Sequence, residues 1–361
     1  MKPFVPQKLP VDNINWNKII SIIASANREV GKFDALLTTI PNADVLLSPL
    51  TMNEAVLSSR IEGTQATLEE VYEFEANPKL KTEKSEDIKE ILNYRKAIRV
   101  ARNKLKKLPL SARLIKEIHK VLLSGVRGKQ NDPGNFRSSP VFIGPPGAGI
   151  ENATYIPPDS NLIPEYFSNL EKYIHSDEKD KIVQLAIVHA QFEIIHPFLD
   201  GNGRTGRILM PLFLYYKSVI STPNFYLSEY FEKNRDEYYE KLNNISKNND
   251  WDDWINYFLK AVTIQSRKNT GKVEEILSLY HKTLDEVQTV TRSQYTHKIV
   301  EFIFSQLLFS STDISNKTIP KPSAKTLLKR LVDNGILEIW TESSGRKPAI
   351  YGFPKLLKIV L

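Results

Sequence analysis

One stretch of the chain, residues 196–207, combines side chains that could do chemistry together. It reads His196-Pro197-Phe198-Leu199-Asp200-Gly201-Asn202-Gly203-Arg204-Thr205-Gly206-Arg207. Its glycines let backbone N–H groups approach a ligand closely, and its two arginines can each bind phosphate oxygens bidentately. Asp200 is an oxygen ligand that suits Mg²⁺, and His196 titrates near neutrality and can take a proton from an attacking hydroxyl. An anion site, a metal ligand and a base in one loop predict a site for transfer of a nucleotide phosphate.

Two helices must position this loop. Apolar residues recur at helical spacing over 182–195 before it and over 208–216 after it. The loop therefore runs into the start of a helix, whose first N–H groups have no partner within the helix and form a natural anion site. A glycine-rich loop with a capping Asp is the plainer alternative, but it does not explain so many chemically suitable positions at once.

The stretch resembles the signature of the Fic family, H-P-F-x-D/E-G-N-G-R-x-x-R, and matches it at every defined position. The resemblance implies a mainly α fold, a Fic-type helical bundle with a β-hairpin flap. It implies a protein adenylyltransferase, which moves AMP from ATP to a Ser, Thr or Tyr hydroxyl of a target protein and also of itself. ATP and Mg²⁺ would be the molecules that the site binds.

The resemblance also assigns roles within the stretch. His196 would deprotonate the target hydroxyl, and Asp200 would hold Mg²⁺ between the α- and β-phosphates. The residues that would bind the phosphates or stabilise developing charge are Gly201, Asn202, Gly203, Arg204 and Arg207. Of these, Arg204 would contact the β-phosphate and Arg207 the γ-phosphate. Phe198 is expected to be a buried anchor of the loop.

A second feature lies upstream, at the end of a helix predicted over 51–61. Taken alone, residues 58–63 are a helix C-terminus followed by a glycine. One class of Fic proteins carries an inhibitory helix with the pattern S/T-x-x-x-E-G/N, and Ser58, Glu62 and Gly63 fit it. The resemblance implies that Glu62 pairs with Arg207, so that this arginine cannot bind the terminal phosphate and ATP is held in an unproductive pose.

Two further segments are assigned by pattern and resemblance together. Residues 139–144 and 153–158 read as the strands of a hairpin, which the resemblance identifies as a flap that pairs with the target's backbone. A plain surface hairpin is the alternative. A tyrosine-rich helix over 227–239 would help to wall the adenine pocket through Asn234 and Tyr238, or would be an amphipathic core helix.

Composition sets the outer bounds. The chain has 361 residues, a net charge of +7 and no cysteine, which excludes disulfides, thiolate nucleophiles and cysteine-ligated zinc. No apolar run approaches the ~20 residues of a membrane span, and the beginning of the chain lacks the order of a signal peptide. We therefore expect a cytoplasmic protein without a membrane partner. His119 and His189 lack metal-ligand spacing and are expected to be packed in the core.

Periodicity and charge divide the chain into four segments. They are an N-terminal helical region with the inhibitory helix (1–110), a catalytic core (111–265), a helical linker (266–293) and a winged helix-turn-helix domain (294–361). Residues 291–361 hold 11 Lys or Arg against 5 Asp or Glu, a balance that favours an anionic partner.

The predicted recognition helix of the C-terminal domain bears Lys325, Lys329 and Arg330, and the wing bears Arg346 and Lys347. Because winged helices also bind proteins, DNA and protein are both open as its partner. A homodimer is compatible with the sequence.

Two other functions fit the same residues. One is a related enzyme that moves another phosphate-linked group, such as phosphocholine or UMP, or that removes AMP. Asp200 and Arg207 favour ATP, but neither excludes removal. The other is a DNA-binding regulator whose nucleotide site only senses nucleotide.

Overall fold

A computed structural model gives the fold. It describes residues 2–78, 82–127, 130–144, 147, 149–317, 319–344 and 348–361, with the backbone alone for 316 and 317. Within these ranges the chain is mainly helical, as predicted, with three short strands. The wing residues Arg346 and Lys347 lie outside the described residues.

The helices of the described ranges are α1 Trp16–Thr38, α2 Ala43–Leu46, α3 Ser48–Ile61, α4 Leu68–Ala76, α5 Ser85–Leu105, α6 Ala112–Leu122, α7 Ile163–His175, α8 Lys181–Ile195, α9 Asn202–Tyr216, α10 Ser228–Lys233, α11 Arg235–Asn248, α12 Trp251–Thr291, α13 Thr296–Ser305, α14 Ser311–Lys317, α15 Lys321–Asp333 and α16 Pro354–Val360. The strands are β1 Leu308–Ser310, β2 Glu338–Thr341 and β3 Ile350–Gly352. Short 3-10 turns cover Ile150–Asn152 and Ser160–Leu162.

The centre of the molecule is the pair α8 and α9, which flank the loop of residues 196–201. Nearly every residue of α8 is buried, as its all-round apolar composition predicts for a helix surrounded by others. Helices α1, α7, α11 and α12 pack against α8, and α3, α5 and α6 pack against α9. The two ends of the loop are therefore fixed by helices that are themselves packed in the core.

The longest helix, α12, runs unbroken for 41 residues. It packs against α1 and α8, and near its start Nε1 of Trp254 donates to the carbonyl oxygen of Ala186 in α8 at 2.8 Å. The predicted linker over 266–293 is the second half of this helix, and it buries a stripe of side chains that includes Val273, Ile276 and Val287. A polar sequence with apolar residues at helical spacing suggested a solvated connection, but this half of the helix packs against α13, α15 and α16, as in the contact between the rings of Tyr280 and Phe304. The division into four segments stays a prediction.

The C-terminal segment has the element order that the sequence indicates, with one added strand. The predicted helix over 295–309 ends earlier, at Ser305, because residues 308–310 are all buried and form β1. The sheet has the order β1-β3-β2 and both pairings are antiparallel. Helices α14 and α15 lie between β1 and β2 in the chain, so the order agrees with a winged helix-turn-helix, which stays a prediction.

The predicted hairpin over 139–158 is much reduced. Within its described residues it consists of a single antiparallel bridge between Ile143 and Tyr155. Prolines at 140, 157 and 158 supply no backbone donor, which limits how far a ladder can extend. The N-terminal arm lies beside this region, since the N–H of Phe4 donates to the carbonyl oxygen of Ile156 at 2.9 Å.

Within the described ranges, none of the helices combines the length and the apolar composition that crossing a bilayer requires.

Candidate active site

Helix α8 delivers His196 to the site. His196 caps the helix in the left-handed region (φ 48°), and its N–H donates to the carbonyl oxygen of Phe192 at 3.0 Å. Pro197 cannot continue a helix, so the chain turns away at this point. The imidazole is thus fixed at the junction of helix and loop rather than carried on a free segment.

The loop is closed by Asn202 and anchored by Phe198. The side chain of Asn202 accepts from the N–H of Phe198 and donates to its carbonyl oxygen, both at 2.9 Å. Phe198 is fully buried, which confirms its expected role as an anchor. Because both polar ends of Asn202 are used, a direct contact of this side chain with phosphate stays a prediction, and its observed contacts are those of a residue that shapes the loop.

His119 supports the loop from α6. Its ring stacks on Phe198 with centroids 3.8 Å apart. Its Nδ1 accepts from the N–H of Gly134, so its Nε2 carries the proton and donates to the carbonyl oxygen of Asp200 at 2.8 Å. Burial lowers the pKa of His119 to about 4. His119 is therefore a neutral, packed histidine, as the sequence indicated.

The electrostatic surroundings keep His196 uncharged. Burial, with Arg137 as a second cause, lowers its pKa to about 4. Its Nδ1 is buried and has no hydrogen-bond partner in the described part of the chain. A histidine that is neutral at physiological pH is ready to accept a proton.

Arg137 is a residue whose role the sequence did not reveal. Its guanidinium is buried and donates to three carbonyl oxygens, those of His196 at 2.8 Å, Ser139 at 3.1 Å and Pro158 at 2.5 Å. Its N–H donates to the carbonyl oxygen of Pro197 at 2.9 Å. Arg137 thereby links residues 196–207, here called the catalytic loop, to both ends of residues 139–158, here called the flap region.

Arg204 is buried and held by an acid from another helix. Its Nη1 donates to Oε2 of Glu90 on α5 at 2.8 Å, and its Nη2 lies 3.5 Å from Oδ1 of Asp200. Glu90 also accepts from Nε of Arg127 at 2.9 Å. Glu90 was not singled out from the sequence, and no local pattern links it to a residue so far along the chain.

Asp200 faces the open side of the loop. Its side chain is 39% exposed, and its Oδ1 accepts from the N–H of Gly201 at 2.5 Å. Its Oδ2 makes no hydrogen bond with any residue that the structure describes. A carboxylate with one oxygen free and exposed fits Mg²⁺, which usually takes one or two carboxylates and completes its shell with phosphates and water. The described residues contain no group of three or more His, Cys, Asp or Glu that could hold a metal ion, so Mg²⁺ binding by Asp200 stays a prediction.

The guanidinium of Arg207 is bound to the end of α3 through two of its three nitrogens. Only 1% of its side chain is exposed. Its Nε donates to Oγ of Ser58 at 2.8 Å, and its Nη2 donates to the carbonyl oxygen of Ser58 at 2.9 Å and to Oε1 of Glu62 at 2.5 Å. Burial opposes ionisation of Glu62, but Arg207 outweighs it and holds the pKa of this carboxyl below its usual range. The pair is therefore charged at neutral pH.

The carboxylate of Glu62 lies over the first turn of α9. A Cβ added to Gly203 would lie 2.1 Å from Oε1 of Glu62, so only glycine fits beneath this side chain. The first turn of a helix favours negative charge because its N–H groups are unpaired and its dipole is positive there. The carboxylate of Glu62 thus occupies the place that the sequence predicts for a phosphate.

A buried acid fixes α3 in this position. Glu54 accepts from the hydroxyl of Ser228 at 2.5 Å and from the hydroxyl of Tyr94 at 3.2 Å, which joins α3 to α10 and α5. Burial raises the pKa of Glu54 to about 7. Just after α3, Gly63 has φ +100°, a conformation that other residues rarely adopt, so the glycine lets the chain leave the helix directly after Glu62.

A cavity of about 580 Å³ opens between the flap region and α11. Its described lining includes neither of the predicted adenine residues, Asn234 and Tyr238. The predicted helix over 227–239 is broken at Asn234. The side-chain amide of Asn234 donates a hydrogen bond to the carbonyl oxygen of Tyr230 at 2.8 Å, and this bond competes with the helical hydrogen bonds of the backbone. Tyr238 is buried, and its hydroxyl pairs with Nε2 of His189 at 2.9 Å, while the next residue, Tyr239, lines the cavity. His189 is a packed histidine, as expected.

Glu193 lines the same cavity on the side of α8. Burial raises its pKa to about 8, and its Oε1 is buried without a hydrogen-bond partner in the described ranges. A Cβ added to Gly206 would lie 2.4 Å from this oxygen. Gly206, in the second turn of α9, therefore makes room for the side chain of Glu193. The sequence pattern did not indicate that Glu193 is important.

Comparison with known proteins agrees with this fold and site. Two family models match, "Fic/DOC family N-terminal" over residues 20–103 and "Fic/DOC family" over residues 109–214, and together they cover more than half of the chain. The chain belongs to the Fic/DOC family.

Among related sequences, a probable protein adenylyltransferase of Aquifex aeolicus is 22% identical over 300 residues, which is 81% of this chain and 82% of that protein. A protein adenylyltransferase Fic of Drosophila ananassae is 33% identical over 112 residues, or 29% of this chain, and the match spans only 20% of that protein.

Among solved structures, a Fic family protein of Desulfovibrio desulfuricans has a TM-score of 0.61 at 20% identity and covers 97% of this chain and 98% of its own. Fic-1 of C. elegans has a TM-score of 0.55 at 20% identity and covers 72% of this chain and 74% of its own. At these identities the structural likeness is evidence for the fold alone.

Proposed function

We propose that this protein is a protein adenylyltransferase that transfers AMP from ATP to a Ser, Thr or Tyr hydroxyl of a target protein, and also to itself. The observation that carries the proposal is that a neutral His196 and the first turn of α9, which suits an anion, lie at the two ends of one short loop, residues 196–201. The names of the relatives from Aquifex and Drosophila support the same class of reaction.

In the proposed reaction His196 takes the proton of the target hydroxyl. Because Nδ1 of His196 is buried, the proton goes to Nε2. The hydroxyl oxygen bonds to the α-phosphorus, the bond from that phosphorus to the bridging oxygen breaks, and pyrophosphate leaves with the electron pair. The N–H groups of Gly201 and Gly203 would stabilise the charge that develops on the phosphate oxygens.

Asp200 would hold Mg²⁺ through its free oxygen. When bound, the ion supplies positive charge beside the phosphate oxygens. Arg204 would bind near the β-phosphate, and its ion pair with Glu90 supports this role by fixing the guanidinium in place. Arg207 would bind the γ-phosphate once its present partners release it.

The adenine would enter the cavity between the flap region and α11. Asn234 and Tyr238 remain the predicted contacts, and the lining position of Tyr239 adds a ring on which the base can stack. The buried ring of Tyr238 lies 5.2 Å from the ring of Tyr239 and would support that ring against the base.

We further propose that Glu62 inhibits the enzyme. Its carboxylate neutralises Arg207 and covers Gly203, so a nucleotide cannot place its terminal phosphate there without displacing Glu62. The hydrogen bonds from Arg207 to Ser58 hold the end of α3 against α9 and support this role.

The donor is tested by offering nucleotides one at a time to the Glu62→Gly variant and weighing the intact protein. We expect the mass of AMP to be added with ATP and Mg²⁺ and no addition with UTP or a phosphocholine donor. Equal addition of UMP would favour the rival transferase. Loss of AMP from labelled protein after ATP is removed would favour the rival activity of removal.

A second function is favoured by the surface of α15. Lys321, Lys325 and Lys329 are all exposed and follow one another at one-turn spacing, which makes a cationic stripe suited to a nucleic-acid backbone. We propose that the C-terminal segment contacts an anionic partner, with DNA as the first candidate. A gel shift with the full chain should show binding that weakens steeply with salt, and the absence of a shift at low salt would favour a protein partner.

A further inference from the structure

A second cavity, of about 660 Å³, lies apart from the catalytic loop. Its walls come from α2, the first turns of α3, the end of α4, one face of α5, residues 224–226 and the end of α13. None of the residues of the catalytic loop lines it. The cavity therefore joins N-terminal helices to the C-terminal segment and is not a part of the proposed nucleotide site.

One wall of this cavity is strongly cationic. Its charged residues lie on the face of α5 and are Arg95, Lys96, Arg99, Arg102 and Lys106. Their spacing of three and four residues places them on one side of the helix. Two acids, Glu75 and Asp44, are the negative residues of the lining, so the cavity carries an excess of positive charge.

The cations fall into two groups. Arg95 is paired with Glu75 and Arg102 with Asp44. The side chains of Lys96, Arg99 and Lys106 make no ion pair and no hydrogen bond with any residue in the described ranges, and all three residues are exposed. Lys96 and Lys106 are ten positions apart, which corresponds to about 15 Å along the helix axis. A single small anion would not neutralise all three, whereas a chain of phosphates matches their spread.

The opposite wall offers buried neutral groups. Asn224 and Tyr226 are each only 8% exposed although both line the cavity. The hydroxyl of Tyr226 lies 2.8 Å from Oγ1 of Thr51 and donates to Oδ1 of Asn224 at 3.3 Å. A concave surface that combines cations with a few buried neutral polar groups is typical of a small-molecule site.

We propose that this cavity binds a small molecule that carries two or more phosphate groups. Lys96, Arg99 and Lys106 would pair with the phosphates, with Arg99 able to contact one of them bidentately. The amide and hydroxyl groups of Asn224, Tyr226 and Gln306 would face the uncharged part of the ligand. Since Gln306 follows α13, the site requires the C-terminal segment and must be tested in the full chain.

The proposal is tested with inorganic tripolyphosphate as the probe, in calorimetry on the full chain. The variant Lys96→Ala/Arg99→Ala removes two of the unpaired cations. The matched control is Lys89→Ala/Lys107→Ala, which removes the same charge from exposed positions of α5 and its end that do not line the cavity. We expect the first variant to bind tripolyphosphate at least about tenfold more weakly than the control, because it lacks two of the three cations that would pair with the phosphates.

Orthophosphate should bind the wild-type chain much more weakly than tripolyphosphate does. Equal tripolyphosphate affinities for the two variants would overturn the proposal, as would equal binding of the single and the triple phosphate. Any tripolyphosphate bound at the catalytic loop is common to both variants, so the difference between them reports on the cavity alone and does not depend on the proposed enzymatic activity.

A second measurement uses only the wild-type chain, so its result does not depend on whether the variants fold. Acylation of lysines in the wild-type chain is followed by mass spectrometry with and without tripolyphosphate. Lys96 and Lys106 should be protected, while Lys89 and Lys107 should react equally in both conditions. Unchanged reactivity of Lys96 and Lys106 at saturating probe would contradict the proposal.

Discussion

Replacing Glu62 with glycine should raise the rate of self-adenylylation by about tenfold or more. In the present structure the guanidinium of Arg207 donates hydrogen bonds to Ser58 and Glu62, and its Nη2 lies 2.5 Å from Oε1 of Glu62. A charge-assisted contact of this kind is worth about 1.5–3 kcal/mol, and a nucleotide must displace it before its terminal phosphate can reach Arg207. Removing the carboxylate removes that cost, and about 1.4 kcal/mol corresponds to tenfold in an equilibrium constant.

The measurement is incorporation of labelled AMP from ATP and Mg²⁺ over time. Glu62→Gln keeps the size of the side chain and removes its charge, so it should raise the rate by less than the glycine variant does. Ser58→Ala removes the hydrogen bond to Nε of Arg207 but leaves the ion pair, and it serves as the matched control with a smaller effect. If wild type and Glu62→Gly incorporate label equally, Glu62 is not an inhibitor.

The position of Glu62 has its own check, which does not need activity. Gly203→Ala should destabilise the wild-type chain by about 1–3 kcal/mol, since the new Cβ would lie 2.1 Å from Oε1 of Glu62. In the Glu62→Gly background much of that cost should vanish. Denaturant unfolding of the four proteins gives the coupling energy, and additive effects would show that Glu62 does not lie over the first turn of α9.

The catalytic loop was predictable because its chemistry is local. Two arginines, an acid, a base and three glycines within residues 196–207 require no knowledge of distant contacts, and the helices on either side follow from apolar periodicity. The pairing of Glu62 with Arg207 could be anticipated only through the family resemblance, since nothing in the spacing of two residues so far apart brings them together. Its geometry, with Gly203 beneath the carboxylate, came from the fold.

The supporting residues were not predictable for a related reason. Glu54, Glu90 and Arg137 contact groups that are distant in sequence, and each looks like an ordinary charged surface residue until the helices are packed. Glu193 sits in an apolar helix, where the pattern marks it as an exception without naming its neighbours. Asn202 shows the opposite case, because its place in the motif suggested a ligand contact while its amide is used to close the loop.

Loop and strand details departed from the sequence where local pattern and tertiary packing disagree. Leu308 and Phe309 continue an apolar pattern that favours a helix, but they pair with β3 as part of strand β1. The second half of α12 looked like a linker because of its polar surface, and its buried stripe became evident only where α13, α15 and α16 pack on it. In both places burial by a distant element decides the conformation, and short-range propensity does not.

Replacing His196 with alanine should lower the rate of adenylylation by about 10²–10⁴-fold, the usual contribution of a general base. Burial, aided by Arg137, lowers the pKa of His196 to about 4.

A lowered histidine pKa means that the proton binds only under acid conditions, so the wild-type imidazole is fully available as a base between pH 6 and 8. The wild-type rate should therefore not rise over that range through titration of His196, and it should fall as the pH approaches about 4.

The measurement is made in the Glu62→Gly background, where the rate is high enough to follow a large loss. His281→Ala, which changes an exposed histidine of α12, is the matched control and should leave the rate unchanged. Because His196 lies at the end of α8 and its ring is not part of the loop's hydrogen bonding to Asn202, ATP should bind the alanine variant with nearly unchanged affinity. A loss in kcat with retained ATP binding is the result expected of a base. A loss of ATP binding together with the rate would instead assign His196 to nucleotide binding, and an unchanged rate would remove it from the reaction.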